Sequence, residues 1–428
     1  MAQVIYGNQF QGGLVRIPPS KSAAHRQVLC AALSRGKCTL SHVDMSEDIQ
    51  ATVAAVEALG AKVSFDEAAA TLTLDAANLG RQNAAIDCRE SGSTLRFLIP
   101  IAAALGVSAR FVGRGRLPER PLGVYGELLP AHGVEFRSQG GLPLEISGKL
   151  KSGVYRMPGN VSSQFVTGLL FALPLLKGDS EIVLTSPLES KGYVALTLSI
   201  LREYGVTAQE TPQGWHIPGG QRYTPHNCQV EGDWSQAAFF LCMAALSPTG
   251  APVAIQGLDA ASLQGDKACV ELFHQFGLPV SWEGGVLTAR NPRAREPFGG
   301  LRGITIDAAQ IPDMVPALSV CAALSQGETR ILNAQRLRLK ESDRLASMSS
   351  ALTALGIKST ETDDSLAITG GTPSPGKVDG SGDHRVVMAS ALACAQTDLI
   401  IRGCEAAAKS YPAFFDDLAA LGGRFERI

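Results

Sequence analysis

Charge of either sign is scarce in this 428-residue chain. Only 18% of its residues are charged, and 38 Lys and Arg against 40 Asp and Glu leave a net charge of -2. The chain therefore lacks the basic excess that draws a protein to nucleic acid or to an anionic membrane surface, and neither partner is expected. Long apolar runs are missing too. Stretches such as Phe165–Leu176 fall short of the ~20 residues a spanning helix needs, and that one carries both Gly168 and Pro174. No basic segment leads into an apolar stretch at the N-terminus, so a cleaved leader is not expected and a cytoplasmic location is. The nine cysteines include no CxxC pair and no His/Cys spacing of a zinc site. Cys30, Cys242, Cys321 and Cys394 lie in Ala/Leu-rich stretches, where a reduced thiol acts as a small hydrophobe.

What the chain does have is repetition. An amphipathic helical segment ending in glycine recurs at Gly60, Gly133, Gly205, Gly277, Gly356 and Gly422, with spacings of 73, 72, 72, 79 and 66 residues. Glycine is the residue that stops a helix in the left-handed conformation without a Cβ clash. A second segment, polar at its start and then a smooth Ala/Leu/Val/Met run, begins at Ser20, Glu90, Ser162, Asp233, Asp313 and Asp383. Serine and aspartate are good N-caps, and a helix apolar on most sides must be buried, so each should be the central helix of its repeat. Stretches rich in β-branched residues, such as Val253–Ile255, Gly303–Ile306 and Thr329–Leu332, read as strands. Single cores stop growing near ~250–300 residues. Six repeats of this length therefore predict two α/β domains of three βαβ-type units each, dividing near 231–233. The strand before Pro18-Pro19 is expected to join the second half, giving one domain of residues 1–19 plus 232–428 and another of residues 20–231.

The starts of the buried helices carry unusual side chains. Ser20-Lys21-Ser22 is followed by Arg26, Ser91-Gly92-Ser93 by Arg96, and then come Ser162-Ser163-Gln164, Asp233, Asp313 and Asp383-His384-Arg385. A helix N-terminus offers unpaired N–H groups and a partial positive charge, and serines with a close-approach glycine suit phosphate or carboxylate there. Lys and Arg in the same turn oppose the dipole unless an anion lies between them. More cations stand in likely loops: Arg114, Arg116 and Arg120, then Lys340 and Arg344, then Lys409. Each feature alone reads as a cap or a solvated charge. Their recurrence in register points to a small polyanionic substrate.

These residues resemble a known family. Pro19-Ser-Lys-Ser22 with Arg26, Leu117-Pro-Glu-Arg-Pro121, Ser162-Ser-Gln164, Leu339-Lys-Glu-Ser-Asp-Arg344, Gly382-Asp-His-Arg385 and Ala408-Lys-Ser-Tyr-Pro412 together are similar, in order along the whole chain, to the 5-enolpyruvylshikimate-3-phosphate synthases. The resemblance implies two inside-out α/β prism domains that close over a substrate cleft. It implies a monomer that transfers the enolpyruvyl group of phosphoenolpyruvate to the 5-hydroxyl of shikimate 3-phosphate with release of phosphate. No metal or organic cofactor is implied. By match to the family motif, Asp313 would orient or deprotonate the 5-hydroxyl, Glu341 would trade the proton at the methylene carbon, and Lys21 would bridge both substrates and could share the acid role. Shikimate 3-phosphate falls to Ser22, Arg26, Ser162, Ser163, Ser190, Tyr193 and Lys340. Phosphoenolpyruvate falls to Gly92, Arg120, Arg344, Arg385 and Lys409, with Gln164 reaching both. The donor pocket is also expected to accept glyphosate.

The chain departs from the family in places. His25 and Arg336 stand where asparagine is common, Phe97 where proline is common, and Glu90-Ser91 precedes the glycine. A related enzyme, UDP-N-acetylglucosamine enolpyruvyl transferase, shares the fold and the donor. It typically begins with a Lys-Asn pair and has a reactive cysteine in the loop before the Glu-Arg-Pro-like region. Here the pair is Lys21-Ser22, and no cysteine lies between Cys88 and Cys228. A non-catalytic anion-binding scaffold is disfavoured by the presence of both Asp313 and Glu341.

Overall fold

The computed structural model describes residues 2–7 and 9–428. It divides into two compact units, Met1–Pro18 with Gly232–Ile428 and Pro19–Glu231. Each has its own apolar core. Each also has three four-stranded sheets among the described residues.

One sheet order recurs six times. In the simplest form Asn83–Asp87 lies parallel to Ser108–Val112, which pairs antiparallel with Leu144–Gly148, itself antiparallel to Val134–Arg137. The sheets built from 154–217 and from 305–369 repeat this pattern. The other three complete it with a strand from far along the chain. Cys228–Gln229 lies parallel to Lys37–Ser41. Gly13–Arg16 lies parallel to Val253–Gln256. Ala2–Tyr6 runs antiparallel between Leu399–Arg402 and Arg424–Arg427. Both N-terminal strands thus pair within the C-terminal unit.

The six apolar helices are Lys21–Leu33, Gly92–Leu105, Ser163–Ala172, Trp234–Leu246, Val315–Ala323 and His384–Ala391. Every residue of Trp234–Leu246 and of Val315–Ala323 is buried, as an all-round apolar helix requires. Five of the six are capped by their leading side chain: Ser20, Ser91, Ser162, Asp233 and Asp383 each accept a hydrogen bond from a backbone N–H of the first turn. The sixth differs. The helix after Asp313 begins only at Val315, capped by Met314 with no side-chain bond. The Asp313 carboxylate faces three cations, Lys340, Arg344 and Arg385. The six glycine stops all adopt positive φ, between 75° at Gly205 and 112° at Gly60.

Candidate functional site

In the N-terminal unit, the capped ends of the Lys21, Gly92 and Ser163 helices bring the expected polar residues together. Lys21 Nζ donates to Asp48 Oδ2 at 2.7 Å, with both side chains mostly shielded. Arg26 is buried, and each guanidinium nitrogen is engaged: Nε donates to Thr197 Oγ1 at 2.8 Å, Nη1 to the Ser22 carbonyl at 2.6 Å and Nη2 to the Tyr193 carbonyl at 3.0 Å. Burial lowers its pKa to about 10. Each Nη keeps a second hydrogen for an anion. The guanidinium also lies over the Phe97 ring at 5.3 Å and near the Tyr193 ring at 6.0 Å. Ser190, one of the acceptor residues implied by the family, precedes Tyr193 at φ 55°. A buried non-glycine residue in the left-handed region is strained, and such strain clusters at functional sites.

Arg96 organises the surroundings of Gln164. Its Nη1 donates to Gln164 Oε1 at 2.8 Å and its Nη2 to the Pro121 carbonyl at 3.3 Å, while its guanidinium lies over the Phe165 ring at 5.1 Å. Gln164 Nε2 donates in turn to Ser93 Oγ at 3.0 Å. Gly92 approaches Arg120 so closely that a Cβ there would lie 2.7 Å from Arg120 Nη1. Of the three arginines in the 113–121 loop, only Arg120 is buried. Arg114 and Arg116 are exposed and face Glu47 and Glu119, so they form part of the solvated surface.

In the C-terminal unit, three cations and three carboxylates form one network. Arg344, 1% exposed, donates through Nη1 to Asp313 Oδ1 at 2.8 Å, through Nη2 to Glu341 Oε2 at 2.6 Å and through Nε to Asp383 Oδ2 at 2.8 Å. Burial works against its charge, but Asp383, Glu341 and Asp313 together raise its pKa above the ordinary arginine value. Lys340 Nζ lies 3.2 Å from Asp313 Oδ1. Burial lowers Lys340 to about 8, Asp313 and Glu341 oppose the shift, and Arg344 and Arg336 reinforce it. Arg385 donates to the Asp313 carbonyl at 2.9 Å and to Ser235 Oγ at 2.9 Å, and its Nη2 lies 3.4 Å from Asp313 Oδ2. Lys409 Nζ donates to the Gly382 carbonyl at 2.7 Å, which brings it to the start of the His384 helix. Among the described residues no group of three or more His, Cys, Asp or Glu could hold a metal ion.

Three supporting residues were missed as site residues. Asp383 anchors Arg344 and also accepts from Ser342 Oγ at 3.1 Å. Although burial works to raise its pKa, Arg344 and then His384 hold the Asp383 carboxyl below the ordinary value. Arg96 holds Gln164, and Asp48 holds Lys21. Asp383 and Arg96 stood out in sequence as charged residues at buried helix starts. Asp48 gave no such sign, because its partner lies twenty-seven residues away.

The model of the family described as EPSP synthase (3-phosphoshikimate 1-carboxyvinyltransferase) matches residues 5–418. A Clostridium kluyveri protein of that enzyme name is 44% identical over 420 residues, covering 97% of this chain and 96% of the relative. A Clostridioides difficile protein of the same name is 43% identical over 437 residues, covering 99% and 98%. Among solved structures, an EPSP synthase from Acinetobacter baumannii superposes with a TM-score of 0.79 at 25% identity, over 100% of this chain and 99% of that one. The enolpyruvyl transferase NikO from Streptomyces tendae reaches the same TM-score at 19% identity over 99% of this chain and 98% of its own, a likeness of fold.

Proposed function

The chain belongs to the EPSP synthase family, and from that premise we propose how its residues divide the family's reaction. The reaction transfers the enolpyruvyl group of phosphoenolpyruvate to the 5-hydroxyl of shikimate 3-phosphate and releases phosphate, a step of the shikimate pathway. The fold is that of the enolpyruvyl transferases.

One observation supports the division most directly: Asp313 and Glu341, the two carboxylates needed for proton movement, are held by a single guanidinium. In our reading Asp313 accepts the proton of the 5-hydroxyl as its oxygen bonds to C2 of the donor. Glu341 delivers a proton to C3, so that the methylene becomes a methyl. In the second step Glu341 takes a proton back from that methyl as the bond from C2 to the phosphate oxygen breaks, and phosphate leaves with the electron pair. Each carboxylate is thus a general acid or base near a fixed cation. Lys21 bridges the two substrates and can share the acid role.

Ser22, Arg26, Ser162, Ser163, Ser190, Tyr193 and Lys340 are assigned to shikimate 3-phosphate. Gly92, Arg120, Arg344, Arg385 and Lys409 are assigned to phosphoenolpyruvate, and Gln164 to both. The cations offset charges that two phosphates and two carboxylates would otherwise leave unmatched. We further propose a cytoplasmic monomer without nucleic-acid or membrane partners. The balanced charge speaks against nucleic acid and anionic membrane surfaces as partners, and no helix among the described residues is long and apolar enough to cross a membrane.

Phosphate release is the deciding measurement. With phosphoenolpyruvate present, shikimate 3-phosphate should support it and UDP-N-acetylglucosamine should not. Release with the nucleotide sugar alone would overturn the acceptor assignment, and release with neither would favour a non-catalytic scaffold.

A further inference from the structure

A chain of four buried side chains joins three helices of the N-terminal unit: Lys21–Leu33, Glu47–Ala58 and Gly92–Leu105. His25 Nδ1 lies 2.7 Å from Thr52 Oγ1, Thr52 Oγ1 lies 2.6 Å from Thr94 Oγ1, and Thr94 Oγ1 lies 2.8 Å from Ser91 Oγ. None of the four is more than 1% exposed. Ser91 is the cap of the Gly92 helix and also accepts from the Thr94 backbone N–H at 3.2 Å.

The chain has one direction. Each threonine hydroxyl has a single hydrogen. Thr94 donates its hydrogen to Ser91, so it accepts from Thr52. Thr52 has then used its own hydrogen and accepts from His25. The network therefore assigns the imidazole hydrogen to Nδ1 and leaves Nε2 as a bare acceptor. Nε2 is buried and finds no partner. A cationic ring would place an unpaired charged N–H in a dry interior beside Lys21 and Arg26. Burial first, and those two cations second, push its pKa well below the ordinary histidine value. An apolar side chain would fill this space without an orphaned acceptor, so the ring's presence calls for a use of its other nitrogen.

We propose that His25 is a positioning residue which, through Thr52 and Thr94, sets the Ser91 cap and the Gly92-Ser93 backbone relative to the helix carrying Lys21 and Arg26. The inference rests on the assignment of Gly92 and Arg120 to the phosphoenolpyruvate site. A hydrogen-bonded chain of fixed direction holds two helix ends at one separation, whereas apolar packing alone lets them slide. Backbone that must meet an anion closely is sensitive to such sliding.

His25→Leu fills the space without a donor, and Thr94→Val breaks the chain at another link with little change of shape. Each should raise the KM for phosphoenolpyruvate by roughly five- to tenfold, with kcat and the acceptor KM within about twofold of the parent. The double variant should be no worse than either single one, because both break one chain. His25→Asn places an amide N–H where Nδ1 was and should restore the donor KM. An unchanged donor KM, a parallel fall of all constants, additive single effects or failure of the asparagine to rescue would each overturn the proposal. Should His25→Leu not fold, Thr94→Val and His25→Asn carry the same test. Arg120→Ala is the control for the underlying assignment. If it raises the donor KM and the two breaking variants do not, the positioning role fails alone; if Arg120→Ala also leaves that KM unchanged, both fail.

Discussion

Arg344 and Asp383 form an ion pair at 2.8 Å with side chains 1% and 0% exposed. Arg344 carries Asp313 and Glu341 on its remaining nitrogens, so the two carboxylates proposed for proton transfer share a guanidinium with a third, Asp383. Removing one partner of a buried pair leaves the other charge uncompensated.

Asp383→Asn should therefore destabilise the protein by about 3 kcal/mol, at the low end for a broken buried pair because two other carboxylates still face Arg344. Denaturant unfolding measures this. The pH dependence has a definite sign. The Asp383 carboxyl is held below its reference value of 3.8, so its contribution is full above that value and is lost as the pH falls below it. The variant should lack that acid-side loss. A variant as stable as the parent would show that Arg344 does not need this partner.

Glu341→Gln keeps the size of the side chain and an oxygen for Arg344 but cannot exchange a proton. Turnover should fall by roughly 10²-fold or more while substrate binding survives, and Asp313→Asn should behave likewise. Calorimetric titration beside steady-state kinetics separates the two effects. Parent rates in either variant would remove that residue from the proton transfers.

Lys340 gives a prediction on the alkaline side. Its pKa is lowered to about 8, so the free enzyme loses this positive charge as the pH rises through that value. The kcat/KM for shikimate 3-phosphate should decline with an apparent pKa near 8. The decline in kcat should come at higher pH, because a bound phosphate stabilises the ammonium. Lys340→Arg keeps its charge across this range, and its kcat/KM profile should lose the decline.

A methyl group on Gly92 would meet Arg120 Nη1 at 2.7 Å, Arg120 Cζ at 3.0 Å and Arg96 Nη1 at 3.0 Å. The guanidiniums are the far ends of flexible side chains and can yield, so Gly92→Ala should fold. Overpacking of this kind costs ~1–3 kcal/mol, or about 5- to 150-fold in affinity. A ligand longer than the donor needs the lost volume more, so the inhibition constant for glyphosate should rise well beyond the KM for phosphoenolpyruvate. Equal inhibition of parent and variant would place Gly92 outside the pocket.

Features set by local chemistry were legible in the sequence. The six glycine stops and five side-chain caps needed only the residue and its neighbours. Asp313 read in sequence as the start of a buried helix, but its carboxylate does not cap that helix; it faces Arg344 and Lys340, about thirty residues on. The two-residue strand Cys228–Gln229 is too short to leave a period in the sequence and exists only through pairing with Lys37–Ser41. The His25 chain was hidden for the same reason. Its links span twenty-seven and forty-two residues, and threonine within a helix has no sequence mark that separates it from filler.

The two N-terminal strands have a consequence for synthesis. Ala2–Tyr6 and Gly13–Arg16 are made before residues 19–231, yet their neighbours lie at 253–256 and beyond 398. Residues 19–231, a compact unit, are made in between, which takes roughly 10–40 s at ordinary elongation rates. During that interval the leading strands have no native edge to join, and the last sheet closes only when Arg424–Arg427 emerges. Gly13–Arg16 can pair once Val253–Gln256 has emerged, whereas Ala2–Tyr6 must wait for Leu399–Arg402 and Arg424–Arg427, so of the two it is the segment that a holding chaperone would have to shield longer.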